Sequence, residues 1–170
     1  MVPTSAFLRE SLVAEGFEGF VTFEALRSGR IDEVPEVGGV YIVLREADAP
    51  PTFLASSPGG RFKRRDPAVP VAKLDAKWVD ACHVIYIGKG DNLRRRVKQY
   101  MDFGSGKPVG HWGGRYIWQI ADAATLLIAW RAAASDETPA MAEATLMARF
   151  KIQYSCRLPF ANIADPSSSG

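Results

Sequence analysis

Apolar residues cluster along this chain in two periods. Val40-Tyr41-Ile42-Val43-Leu44 and Val84-Ile85-Tyr86-Ile87 are apolar at every position, the pattern of strands covered on both faces. Leu126-Leu127-Ile128-Ala129-Trp130 reads as a third strand. Gly90-Asp91-Asn92 supplies a turn and an N-cap for a basic helix ending near Tyr100, ahead of the breakers Gly104-Ser105-Gly106-Lys107-Pro108. Thr138-Pro139 opens another helix, with Thr as cap and Pro at the first helical position, running to about Tyr154. Residues 5–30 read as short helical pieces: Phe7, Leu8, Leu12, Val13 and Phe17 recur at helical spacing, and Thr22 to Arg27 adds a turn or two before Gly29. Arg115 to Ile120 fits helix or strand equally.

The two central strands are joined by a long connection, residues 46–82, with five prolines and the pair Gly59-Gly60. Connections of this length inside a domain are functional or disordered more often than not. A short helix from Val71 to Val79, carrying Trp78, interrupts it. The organisation expected is an N-terminal helical extension over 1–35, one domain over 36–165 with 46–82 inserted, and a frayed tail over 166–170.

Composition narrows the class. A chain of 170 residues, 47% apolar, suits one globular core. The net charge of +2 is uninformative, but its distribution is not. Lys89, Arg94, Arg95, Arg96 and Lys98 face only Asp91 within ten residues, and Arg61-Phe62-Lys63-Arg64-Arg65 forms a second knot. Such patches suit phosphate binding, although a solvated helix face and a polar loop would look the same. Cys82 and Cys156 show no metal-ligand spacing and read as small buried thiols of a reduced cytoplasm. No leader pattern and no membrane-length apolar run is evident, so a cytoplasmic protein without membrane contact is expected.

Two charged residues sit where apolar ones are expected. On the basic helix Leu93, Val97 and Tyr100 share a face, and Arg94, Arg95 and Lys98 point away from it. Arg96 lies at the edge of the apolar stripe, from which it would reach along the sheet toward Tyr86 or snorkel into water. On the last helix Glu143 heads the stripe of Met147, Phe150 and Tyr154. A carboxylate there needs a cation or a route to solvent, and its early position also suits the helix dipole.

Taken in order, Gly39-Val40-Tyr41, Tyr86-Ile87-Gly88, Arg96 ten residues after Tyr86, Glu143 and Asn162 resemble the GIY-YIG nuclease superfamily over about residues 36–165. The resemblance implies an α/β (α+β) fold with a small central mixed sheet of about three motif strands flanked by helices. It implies that Tyr41, Tyr86, Arg96 and Glu143 are catalytic, with Glu143 holding one Mg²⁺ or Mn²⁺ per active site. Gly88 matches the glycine that admits a close backbone or phosphate. Lys89 matches a basic position frequent in the excision-repair branch, and Asn162 matches the asparagine that braces the site. Tyr100 stands where many members have histidine, which leaves the proton relay open, and His111 would supply an imidazole or merely anchor its loop. Tyr41 is the candidate base, with Tyr86 orienting water or phosphate, and the reverse assignment stays open.

The function implied is a divalent-metal-dependent endonuclease hydrolysing phosphodiesters, in double-stranded DNA first. Arg61, Lys63, Arg64, Arg65, Arg94, Arg95 and Lys98 would hold the backbone, and a restriction-like member would act as a homodimer. The alternative is a nucleic-acid-binding module of nuclease descent that has lost cleavage.

Overall fold

The structure, a computed structural model, describes residues 5–109 and 111–166; the N-terminal residues read for a leader and most of the expected tail lie outside them. Four strands form one sheet: β1 (Glu18–Thr22), β2 (Gly39–Leu44), β3 (Val84–Gly90) and β4 (Leu127–Ala132), in the order β1-β4-β2-β3. Every pairing is antiparallel. The expected mixed sheet of three strands is thus corrected to an antiparallel sheet of four. The extra strand lies in the segment read as helical. Glu18–Thr22 pairs with β4 through an irregularity between Gly19 and Val21. Gly16 and Gly19 both adopt positive φ, which lets the chain turn into the strand.

Among the described residues five α-helices flank the sheet: α1 (Arg9–Ala14), α2 (Phe23–Arg27), α3 (Val71–Lys77), α4 (Leu93–Gly104) and α5 (Pro139–Gln153). The caps expected from sequence are made. The Asn92 side chain accepts from Arg95 N at 2.9 Å and Thr138 Oγ1 accepts from Met141 N at 3.1 Å. Helix α4 continues one turn past Tyr100, because Met101 and Phe103 extend its buried face. The ambiguous segment is a 3-10 helix, Trp112–Gln119.

The sheet is buried on both faces, as the uninterrupted apolar runs require. Tyr41, Val43, Ile128 and Trp130 pack under Leu93, Val97 and Tyr100 of α4 and Tyr116, Ile117 and Trp118 of the 3-10 helix. Val40, Ile42, Leu44 and Ile87 pack against Ala142, Leu146, Met147 and Phe150 of α5, joined by Phe7, Leu12 and Phe17. A bulge interrupts the alternation of β3: Leu44 pairs with Val84 and Val43 with Tyr86, leaving Ile85 extra. Ile85 and Tyr86 therefore both join the α4-side core.

The long connection is bound to the core. Phe53 bridges to Ile120, and the fully buried Gln119 holds two points of the connection at once. Its amide nitrogen donates to Leu54 O (2.8 Å) and Val69 O (2.7 Å), and its oxygen accepts from Val69 N (2.9 Å). Phe53 stacks on Phe160 at 5.4 Å and Trp78 meets Phe160 edge-on at 5.2 Å. One cysteine departs from expectation. Cys82 is buried and donates to Val84 O, whereas Cys156 is exposed, lying in the left-handed turn that follows α5. Among the described residues no helix is long and apolar enough to cross a membrane.

Gln119→Ala removes all three hydrogen bonds and leaves buried backbone groups unpaired. A loss of roughly 3 kcal/mol is expected from urea denaturation, together with faster proteolysis within 46–82. A change under about 0.5 kcal/mol would show that the aromatic contacts alone hold the insertion.

Candidate functional site

A cleft of about 600 Å³ opens where β3 ends and α4 begins. Tyr86, Gly88, Lys89, Arg95, Arg96 and Glu143 line it, with Asp91, Asn92 and Gln99. Helices α4 and α5 pack on opposite faces of the sheet, so Arg96 and Glu143 start from opposite sides. They meet because β3 is an edge strand: both side chains approach the cleft around its margin. Lys89 lies one residue beyond Gly88 and projects to the α5 side, where its charge reaches Glu143. A second cavity of about 290 Å³ shares Tyr86 and Glu143 as walls and adds Ile87, Arg115, Asn162 and Ile163.

The two motif tyrosines have different positions. Tyr86 lines the cleft, whereas Tyr41 is completely buried and does not. Tyr41 sits opposite Gly88 in the sheet and its ring lies over that residue. A Cβ at Gly88 would fall 2.5 Å from Tyr41 Cζ, so the glycine makes room for the tyrosine while its backbone lines the cleft. The Tyr41 hydroxyl is 2.8 Å from His111 Nε2. Burial, and after it the charge of Tyr86, pushes the Tyr41 pKa well above that of free tyrosine, with Arg96 acting in the opposite direction. Burial also raises Tyr86, while the neighbouring Tyr41 hydroxyl and then the charge of Arg96 oppose it. At both tyrosines desolvation outweighs the opposing charge of Arg96.

Behind the tyrosines stands a stack. Tyr100 lies face to face with His111, centroids 3.9 Å apart and planes 6° apart, and its hydroxyl donates to Gly114 O at 2.9 Å. Its own pKa is well above the ordinary value through burial. His111 is wholly buried, and desolvation followed by the charge of Arg96 lowers its pKa to about 3. It is a neutral imidazole beneath the site.

Asn162 braces the strand that carries Tyr86. Its side chain accepts from Ile87 N (3.0 Å) and donates to Ile87 O (2.9 Å), pairing with β3 as a further strand would. Lys77 Nζ fixes its carbonyl at 2.7 Å.

Burial raises the Glu143 pKa, and Lys89 then Arg96 pull it back. Among the described residues no group of three or more His, Cys, Asp or Glu could enclose a metal. The donor set is one carboxylate, with Asp91 elsewhere on the cleft wall. That suits only a hard cation that keeps most of its water and shares a substrate oxygen.

Of the basic residues singled out from sequence, Arg95 lines the cleft. Arg94 turns away, donating to Val34 O and Asp32 O at 2.8 Å each and pairing with Asp32 and Glu36. Lys98 pairs with Asp102 at 2.8 Å. Arg61, Lys63, Arg64 and Arg65 are exposed and lie outside the cleft, with Arg61 3.5 Å from Asp66. Arg65 nevertheless acts electrostatically on Arg115, which lines the second cavity. Arg115 and Gln99 were not singled out from sequence. Gln99 accepts from Arg96 Nη1 at 3.2 Å, a pair three residues apart on α4 that the helical spacing would have disclosed.

No family model, curated protein or solved structure matches the chain.

Two pH-dependent outcomes follow from these shifts. His111 is held neutral in the folded chain but protonates near 6.5 when unfolded. Its contribution is complete above that pH and is lost progressively as pH falls toward the folded value. Between pH 6.5 and 5 this amounts to about 2 kcal/mol, which His111→Gln should abolish in paired urea titrations. Equal pH slopes for the two proteins would show that the imidazole is not buried neutral.

Glu143 has the opposite sign. A carboxyl with a raised folded pKa destabilises above that pKa and has no effect below its unfolded value of 4.5. In metal-free buffer Glu143→Gln should melt above the parent at pH 7, and the gap should close by pH 4. A variant no more stable at pH 7 would mean that Lys89 and Arg96 fully compensate the burial.

Proposed function

We propose that this chain is a divalent-metal-dependent endonuclease of the GIY-YIG type, hydrolysing nucleic-acid phosphodiesters, with DNA the expected substrate. The observation that carries this reading is the convergence of Tyr86, Lys89, Arg96 and Glu143 on one open cleft at the edge of β3. A tyrosine, two cations and a single carboxylate form a poor chelate but a suitable cradle for a phosphate whose own oxygen completes a metal shell.

The roles proposed here differ from those expected of the sequence in one respect. Tyr86, not Tyr41, lines the cleft, so Tyr86 is the candidate base: as the phenolate it would take the proton of the attacking water and become the phenol. Arg96 holds non-bridging oxygens with its planar fork and stabilises the charge that grows on them. Glu143 would hold a Mg²⁺ or Mn²⁺ ion, which when bound supplies Lewis acidity toward the phosphate and the leaving oxygen. Lys89 adds positive potential beside Glu143. The first turn of α4 presents its positive dipole end to the same cleft. Arg115 at the second cavity, with Arg65 near it, extends the basic surface beyond Glu143 and offers a continuing path for a strand. The localisation consistent with this reading is cytoplasmic, and a homodimer is expected if the substrate site is palindromic.

One observation favours a second reading, a binding module that does not cleave: burial raises the pKa of both Tyr41 and Tyr86, which opposes formation of a phenolate.

Incubation of supercoiled plasmid with the protein separates the two. Nicking with Mg²⁺ that is lost with EDTA and with Glu143→Ala supports the enzyme; retention of duplex without nicking by the parent protein supports the module. In the first case Arg96→Ala should lower turnover by roughly a hundredfold or more. Arg95→Ala should weaken binding and reduce the salt slope by about one. Equal small effects of the two substitutions would remove Arg96 from the reaction.

A further inference from the structure

Two cavities, of about 600 and 290 Å³, share the walls Tyr86 and Glu143 at the edge of β3. A chain lying over those two residues passes directly from one cavity into the other. The larger holds the cations Lys89, Arg95 and Arg96. The smaller has a different character. Ile87, Ile163 and Ala164 make its wall apolar, and Arg115 is its cation. Its volume lies at the low end for ligand sites, roughly 300 Å³, which suits one nucleotide unit and not a duplex.

Arg115 is half-buried and held in place. Its guanidinium lies 5.2 Å from the centroid of the Tyr116 ring, and Lys77 Nζ lies 5.5 Å from the same ring. Lys77 also donates to Asn162 O at 2.7 Å, which ties this arrangement to the segment that braces β3. The exposed Lys73 and Arg157 stand close enough to Lys77 to act on its charge, so positive potential continues along the rim. Asp165, one residue beyond Ala164, is matched by Lys151 Nζ at 2.6 Å. The Asn162 amide, which also lines the cavity, is committed to both peptide groups of Ile87. Beyond the shared walls, the cavity therefore offers apolar surface and one planar guanidinium. That combination suits a sugar and a phosphate, and it lacks the polar edge that would read a base.

We propose that the second cavity is the subsite for the nucleotide unit next to the scissile phosphate: Arg115 binds the flanking phosphate, and Ile87, Ile163 and Ala164 receive the sugar, whatever the base. The inference rests on the nuclease reading for which phosphate is cut, but not for the binding itself. Its consequence is a strand held at two points. Arg95 and Arg96 grip one phosphate in the cleft and Arg115 grips the next, with Tyr86 and Glu143 between them. A strand fixed on both sides of these two residues cannot slide past them, which is the positioning that hydrolysis of one chosen bond needs.

The test is an NMR titration of the ¹⁵N-labelled full chain in metal-free buffer. The probes are a thymidine dinucleotide joined by one phosphodiester, and the same dinucleotide with an added 5′-phosphate or an added 3′-phosphate. One of the two doubly phosphorylated probes should shift the Ile163 and Ala164 amides together with those of the cleft. It should bind about fivefold or more tighter than the simple dinucleotide, the gain of one charge-assisted contact. In Arg115→Ala that gain should shrink to within about twofold. Arg115→Gln, which keeps side-chain packing on Tyr116 without the charge, should behave as the alanine variant does. The gain should survive replacement of thymine by adenine. No gain from either added phosphate, a gain that persists in Arg115→Ala and Arg115→Gln, or unshifted Ile163 and Ala164 amides each overturn the proposal. No cleavage is read, so an inactive protein in the plasmid assay would sink the nuclease reading alone, and a negative titration would sink the subsite alone.

Discussion

Strand β3 is an edge strand, and an edge strand leaves peptide groups that must find partners. Much of the cleft follows from how this chain meets that requirement. Ala161 N donates to Ile85 O at 2.8 Å, and the Asn162 side chain closes on both peptide groups of Ile87. The segment after α5 thus protects the edge through residues that are not themselves a strand. Because the protection stops at Ile87, the next residues, Gly88 to Gly90, stay open, and the cleft forms there. A full fifth strand along β3 would have sealed the margin around which Arg96 and Glu143 reach one another.

Desolvation sets the electrostatic character of what gathers there. It raises the carboxyl of Glu143 and the phenols of Tyr41 and Tyr86, and it lowers His111. Arg96 acts on all four, opposing burial at the three acids and reinforcing it at the histidine. One guanidinium thus favours anions on the cleft side and neutrality beneath it. The result is a gradient, charged at the mouth and neutral at the floor.

The strands with continuous apolar runs and the helices with explicit caps were legible in the sequence, since each rests on local chemistry: β2 and β3 on their apolar positions, α4 on Asn92, α5 on Thr138-Pro139. The anomaly at Glu143 was legible too, because a carboxylate on an apolar stripe conflicts with burial whatever the fold. Strand β1 was not. Its sequence, Glu18-Gly19-Phe20-Val21-Thr22, is short and broken by glycine, and it becomes a strand only because β4 offers it an edge. The separation of the two tyrosines was also hidden. Both stand in equivalent apolar runs, and only the register that places Tyr41 opposite Gly88, with the bulge at Ile85, buries Tyr41 completely and leaves Tyr86 at the cleft wall. His111 was singled out, but its contact with Tyr41 spans 70 residues of sequence, which no local pattern encodes.

The insertion between β2 and β3 leaves the sheet through a closed neck. Leu44 pairs with Val84, and Arg45 N donates to His83 O at 2.8 Å, so the two ends of the excursion stand side by side. In polymer terms it is a loop tied at its base. Its closure entropy grows only with the logarithm of its length, about 0.6 kcal/mol for each doubling. The neck fixes the hairpin register independently of the insertion's exposed tip, which is free to diverge while the anchors Phe53, Val69, Leu74 and Trp78, and the strands with their tyrosines, stay in place.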